Sequence, residues 1–97
     1  MSAYVIGHIT IKDAGVWEEY RSRVPPTLEA WEGEVLFRGQ LAEVLAGDHR
    51  HETVVALRFP SPEAAKGWYD SNAYQALIPL RKRAARVVLL RFDGEGE

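Results

Sequence analysis

With 97 residues, 46% of them hydrophobic, the chain has material for one modest core and not for two. A formal net charge of -2 lacks the basic footprint of a nucleic-acid or anionic-membrane binder. The absence of cysteine excludes a disulfide framework, a thiol nucleophile and any thiolate metal site, so stability has to come from packing.

The run Ala3 to Ile11, AYVIGHITI, is rich in β-branched residues and free of proline, which predicts a strand. Asp13 follows as a helix cap, and Trp17, Tyr20, Val24, Leu28 and Trp31 then recur at three- and four-residue steps, the stripe of one apolar helix face. Pro25 and Pro26 remove two amide donors inside that stripe and predict a kink or a restart, and Gly33 closes the segment. A second strand is expected from Glu34 to Arg38, with Gly39 as a bulge or bend and Leu41 to Leu45 as a continuation or hairpin arm. Gly47 and Asp48 make a turn before a third strand, Glu52 to Phe59.

Ser61, Pro62 and Glu63 supply a cap, a first-turn proline and a first-turn acid for a second helix, with Ala64, Ala65, Trp68 and Tyr69 facing inward. Asp70 to Asn72 break the pattern. Tyr74, Leu77, Ile78, Arg81, Ala84 and Ala85 resume it, with Pro79 a local distortion. A last strand is expected from Arg86 to Phe92, with a frayed tail from Asp93 to Glu97. The chain shows no signal-peptide pattern and no apolar run of membrane-spanning length, so the cytoplasm is the expected compartment.

This order of elements predicts an α+β, ferredoxin-like βαββαβ unit comprising residues 1–97, a four-stranded antiparallel sheet with both helical segments on one face. Alternation makes the other face apolar too: Tyr4, Ile6 and His8 oppose Val5, Gly7 and Ile9 in the first strand, and Val88, Leu90 and Phe92 oppose Val87 and Leu89 in the last. About ten side chains burying roughly 60 Å² each are worth on the order of 15 kcal/mol per subunit, against roughly 4 to 15 kcal/mol of association entropy per dimer. The expected partner is therefore a second copy of the chain, pairing sheet to sheet.

The segments YVIGHITIKD from Tyr4, FRG from Phe37, LRFP from Leu57 and the WY…S.AYQA run from Trp68 through Ala76 resemble the family catalogued as domain of unknown function 1330. That family resembles the dimeric α+β barrel superfamily, which implies a ferredoxin-like subunit packed on its twin. Its relatives include cofactor-free monooxygenases, muconolactone isomerases, haem-degrading enzymes and stress-induced proteins without assigned chemistry. Fold kinship alone does not choose among them, and this chain matches neither a haem-ligating histidine motif nor a complete monooxygenase pocket.

Among single residues, His8 interrupts an apolar strand and is the candidate acid/base, although a histidine bonded to backbone explains the same position. Arg38 and Arg58 interrupt strands as well; if they share the face of His8 they bind a carboxylate or enolate there, and otherwise they extend their charges into water. Trp31, Trp68, Tyr69 and Tyr74, with Trp17 and Tyr20, line either a flat pocket or an ordinary core. Arg81, Lys82, Arg83 and Arg86 read as a solvated face that complements a helix dipole, with the alternative that Arg81, which falls on an apolar stripe, reaches inward to an anion, Glu34 or Glu43. His49, His51 and Glu52 form an H-x-H-E cluster lacking a third ligand at a telling spacing, so no metal is expected.

No nucleophile elbow, P-loop or dinucleotide fingerprint occurs, and no cofactor is expected. Two readings follow. One is a homodimer that binds or transforms a small aromatic or carboxylate-bearing metabolite, by monooxygenase-like or isomerase-like chemistry if it is an enzyme. The other is a non-catalytic structural or stress-associated dimer with a filled core.

Overall fold

The structure, a computed structural model, describes residues 1–94. Strand β1 (Ala3–Ile11) leads into helix α1 (Ala14–Leu28), a 3₁₀ turn (Glu29–Trp31) and β2 (Glu34–Gln40). After β3 (Thr53–Phe59) come α2 (Pro62–Asp70), α3 (Asn72–Gln75), α4 (Ile78–Ala84) and β4 (Ala85–Asp93). The strands form one antiparallel sheet in the order β2-β3-β1-β4, the ferredoxin-like arrangement.

The helix starts follow the caps. The Asp13 carboxylate accepts from the Val16 amide at 3.1 Å, and the Ser61 and Ser71 hydroxyls accept from the Ala64 and Tyr74 amides at 3.0 and 3.2 Å. Each satisfies a first-turn donor that would otherwise lack a partner. Ser71 also ends α2 by donating to the Trp68 carbonyl at 2.7 Å, so a single residue makes the break between two helices.

Several boundaries differ from expectation. Helix α1 runs unbroken through Pro25 and Pro26, because the carbonyls those prolines leave unserved belong to Arg21 and Ser22, both exposed to water. Pro79 does not distort a helix but stands in the first turn of α4, where its missing amide is not needed. Residues 41–52 form no regular structure; pairing ends where the Leu41 amide donates to the Glu52 carbonyl at 2.6 Å, so the expected arm at Leu41 to Leu45 is an exposed loop. Strand β4 keeps Asp93, and the Gly94 amide donates to the Ser2 carbonyl at 2.7 Å; the rest of the expected tail lies outside the described residues.

One irregularity decides the site. In β2, Glu34 faces Arg58 and Val35 faces Leu57, but Phe37, not Leu36, faces Ala56. The extra residue, Leu36, is a β-bulge, and beyond it every side chain of β2 changes face. Gly39, in contrast, pairs regularly with Val54.

The core lies between the sheet and the helices. Val5, Leu57 and Phe59 meet Tyr20, Val24, Leu28, Trp68 and Tyr74, with a smaller cluster of Ile9, Ala84 and Ala85 beyond. On the other face no element among the described residues covers Phe37, Val88, Leu90 and Phe92, and Phe92 remains 54% exposed. The extents of 32 × 30 × 16 Å describe a slab of one sheet and one helical layer.

Candidate functional site

The bulge at Leu36 separates Arg38 from His8, two residues the sequence offered as partners on one face. Arg38 pairs with Val55 on the helical side of the sheet, whereas His8, between Val54 and Val88, stands on the open side. An unshifted ladder would have set Arg38 opposite Val54, on the face of His8. Arg58 does share that face, but it lies at the far end of β1, opposite Tyr4, bonded to the Ser2 hydroxyl at 3.0 Å and paired with Glu34 at 3.5 Å.

The helical side holds a cleft between α1 and the sheet. Trp68 and Tyr74 line its depth, with Ile9, Val55 and Leu57 beneath and Trp17, Tyr20 and Val24 from α1 opposite. Its inner part measures about 40 Å³. An outer recess of about 270 Å³, reaching Ile11, Gln40 and Thr53, shares Ile9, Trp17, Arg21, Arg38 and Val55 with it. The volumes differ in what they admit: the inner part fits an oxygen substituent or a few waters, and the outer recess fits a ring.

Two arginines stand at this opening. Arg21 is paired with Glu18 at 3.3 Å, but Arg38 has neither a hydrogen bond nor an ion pair among the described residues. Burial, and then the neighbouring charge of Arg21, lower the Arg38 proton affinity from its ordinary value, with Glu18 partly opposing. Arg38 is still a cation at neutral pH. An unpaired guanidinium over an apolar recess is a place for an anion.

At the depth of the cleft the polar groups form a chain. Arg81 Nη1 donates to the Tyr74 hydroxyl at 2.9 Å, and the Tyr74 and Tyr20 hydroxyls lie 2.8 Å apart. Arg81 therefore reaches inward, but to the phenols of Tyr74 and Tyr69, while Glu34 is taken by Arg58. Burial, then the neighbouring Tyr74, push the Tyr20 phenol far above its ordinary range, so it keeps its proton at every physiological pH.

The other aromatic candidates divide. Trp68 stacks at 4.3 Å from Tyr74 and 5.4 Å from Phe59, at once core and cleft wall. Trp31 packs on Gly67 and has no part in the cleft's lining. Tyr69 borders a separate recess beside Lys66 and Arg91. Trp17, Tyr20 and Val24 were visible in the sequence as a stripe, whereas Arg21 escaped notice because it lies beside the stripe, where only the fold of the β2 edge gives it a neighbour.

On the open face the loop 41–52 brings His49 to 5.0 Å from His8, edge to face, and His51 to 5.9 Å from His49. His51 Nδ1 shares a hydrogen with Thr10 Oγ1 at 2.9 Å. The H-x-H pair thus joins His8 in a cluster of imidazoles. Among the described residues no group of three or more metal-ligating side chains is arranged to hold an ion, and no helix is long and apolar enough to cross a membrane.

Solved structures place this geometry among known folds. A protein of unknown function from Rhodopseudomonas palustris, RPA0582, superposes with a TM-score of 0.81 at 18% identity, covering 99% of this chain and 84% of its own. A dimeric ferredoxin-like protein of unknown function from Jannaschia sp. CCS1 gives 0.75 at 10% identity, covering 97% and 100%. SnoaB, a cofactor-independent oxygenase from Streptomyces nogalater, gives 0.71 at 10% identity, covering 99% and 95%. At these identities the likeness is one of fold. No curated protein matches the chain. The family match spans residues 2–94, and the chain belongs to the family described as domain of unknown function (DUF1330).

Proposed function

We propose that this protein is a homodimer that binds a small apolar or aromatic acid, without a cofactor, in the cleft between α1 and the sheet. The observation that carries this reading is Arg38: a guanidinium without a protein partner, at the rim of a recess walled by Trp17, Ile9 and Val55. A carboxylate there gains charge-assisted hydrogen bonds while its apolar body leaves water. Pairing through the open face supplies the second cover that Phe37, Val88, Leu90 and Phe92 lack, in keeping with the dimeric description of the Jannaschia relative.

His8 is not the acid/base of this site, since it faces away from the cleft across the sheet. If the bound molecule is transformed, the groups available to handle its protons are Tyr20, Tyr74 and Arg81. SnoaB, described as a cofactor-independent oxygenase, shows that this fold accommodates such chemistry.

Titration of the ¹⁵N-labelled protein with 2-naphthoate tests the reading. Saturable shifts are expected at the Trp17 indole and around Arg38, and Arg38→Ala should weaken binding about tenfold or more, as loss of a charge-assisted contact does. Shifts confined to His8 and its neighbours would contradict the assignment. One observation favours a structural dimer with a filled core instead: the inner cleft, about 40 Å³, is small. That reading predicts no saturable shift at all.

A further inference from the structure

The hydroxyl chain at the depth of the cleft does not balance. Arg81 is a donor only, so Tyr74 Oη must accept from it. The two phenols then bring two protons to one shared hydrogen bond. One O–H proton is left over, and neither hydroxyl has another acceptor among the described residues. Polarisation by Arg81 makes Tyr74 the stronger donor, so Tyr74 gives its proton to Tyr20 and the uncommitted proton is that of Tyr20. Tyr20 is 7% exposed and Tyr74 fully buried, and both line the inner cleft.

A buried hydroxyl proton requires an acceptor. A ligand that fills the inner cleft and excludes water from it has to bring an oxygen of its own. The inner cleft has the size for such an oxygen and not for a ring.

We infer that the floor of the cleft is a hydrogen-bond donor site, Tyr20 Oη–H oriented by Tyr74 and Arg81, and that the ligand is an oxo acid: a carboxylate at Arg38, an apolar body in the outer recess, and a carbonyl or comparable acceptor oxygen at its buried end. The inference rests on the cleft being the binding site, as proposed above. It adds the chemistry of the second end. The permanent protonation of Tyr20 agrees with a donor that polarises a carbonyl and never becomes a base.

The test compares two probes of equal shape, 4-acetylbenzoate and 4-isopropenylbenzoate, which differ only in C=O against C=CH₂. Calorimetry on the wild-type protein should show the ketone bound about tenfold more tightly, as expected for one buried hydrogen bond made or forfeited. Tyr20→Phe should abolish that preference, weakening 4-acetylbenzoate and relieving the stranded proton that penalises 4-isopropenylbenzoate, and Arg38→Ala should weaken both probes alike. Equal wild-type affinities, with both still sensitive to Arg38→Ala, would overturn the donor floor and leave the cleft standing. Failure of both probes to bind would overturn the cleft and the donor floor together. The wild-type comparison needs no variant, so it decides the matter even if Tyr20→Phe folds poorly.

Discussion

The Trp68 indole Nε1 donates to Thr27 Oγ1 at 2.9 Å, and the same hydroxyl passes its own proton to the Val24 carbonyl at 2.6 Å. This is how the largest buried side chain, Trp68, satisfies its polar atom while its ring stacks on Tyr74 and Phe59. Thr27→Val keeps the shape and removes the acceptor. It should destabilise the fold by about 1–2 kcal/mol, the cost of a buried donor left unpaired, and lower the melting temperature by roughly 4–8 °C per kcal/mol. Thr27→Ser, which keeps the oxygen, should lose far less; equal losses in the two variants would show that the methyl and not the hydrogen bond matters.

Gly67 sits in α2 beneath Trp31. A Cβ there would overlap three atoms of the indole ring. Alanine in place of glycine ordinarily strengthens a helix by up to about 1 kcal/mol, but here displacement of Trp31 should outweigh the gain and leave Gly67→Ala less stable by about 1–2 kcal/mol. Red-shifted tryptophan emission together with the lower melting temperature would report the displaced ring. An unchanged or raised melting temperature would mean that Trp31 is not held where the structure has it.

The imidazole cluster makes stability depend on pH. Burial of His8, then His49 and then His51, hold its proton affinity below the ordinary 6.5. Arg86 lies on the same face, opposite Thr10, and the loop 41–52 carries Arg50 with the acids Glu43, Asp48 and Glu52. The unfolded chain takes up the His8 proton first as pH falls, so the stability present above about pH 6.5 declines below it and levels only under the lower folded-state value. Melting temperatures from pH 7.5 to 5 should fall more steeply for the wild type than for His8→Gln. Parallel curves would remove His8 from the explanation.

Leu90 stands on the open face opposite Ile6 and is 42% exposed in the single subunit. A carboxylate at the centre of an apolar sheet-to-sheet interface meets its symmetry mate or a desolvated surface, both unfavourable. Leu90→Asp should therefore behave as a monomer in light scattering, with an unchanged far-ultraviolet spectrum, and the wild type should show twice that mass. A wild type that is itself monomeric would refute pairing through this face.

Much of this was legible beforehand because local physics sets it. The bounds of β1, the caps at Asp13 and Ser61 and the break at Ser71 follow from residues that are neighbours in sequence, and alternation in β1 and β4 exposed the two-faced sheet. The bulge at Leu36 was not legible. Gly39 looked the better place for it, and a slip of one residue turns Arg38 from one face to the other without a trace in composition. For the same reason the sequence left open whether Arg38 shares the face of His8, and only the register places the two on opposite sides of the sheet. Proline in α1 misled for a different reason: its cost depends on whether water reaches the orphaned carbonyls, and only the tertiary structure shows Arg21 and Ser22 exposed.

The most direct test of the account is a crystal of the wild-type protein soaked with an aromatic carboxylate such as 4-acetylbenzoate. The account predicts its ring in the recess beside Trp17, its carboxylate against the Arg38 guanidinium and its keto oxygen towards Tyr20. Density for the compound only on the open face beside His8, or none at a concentration that saturates a weak site, would contradict it.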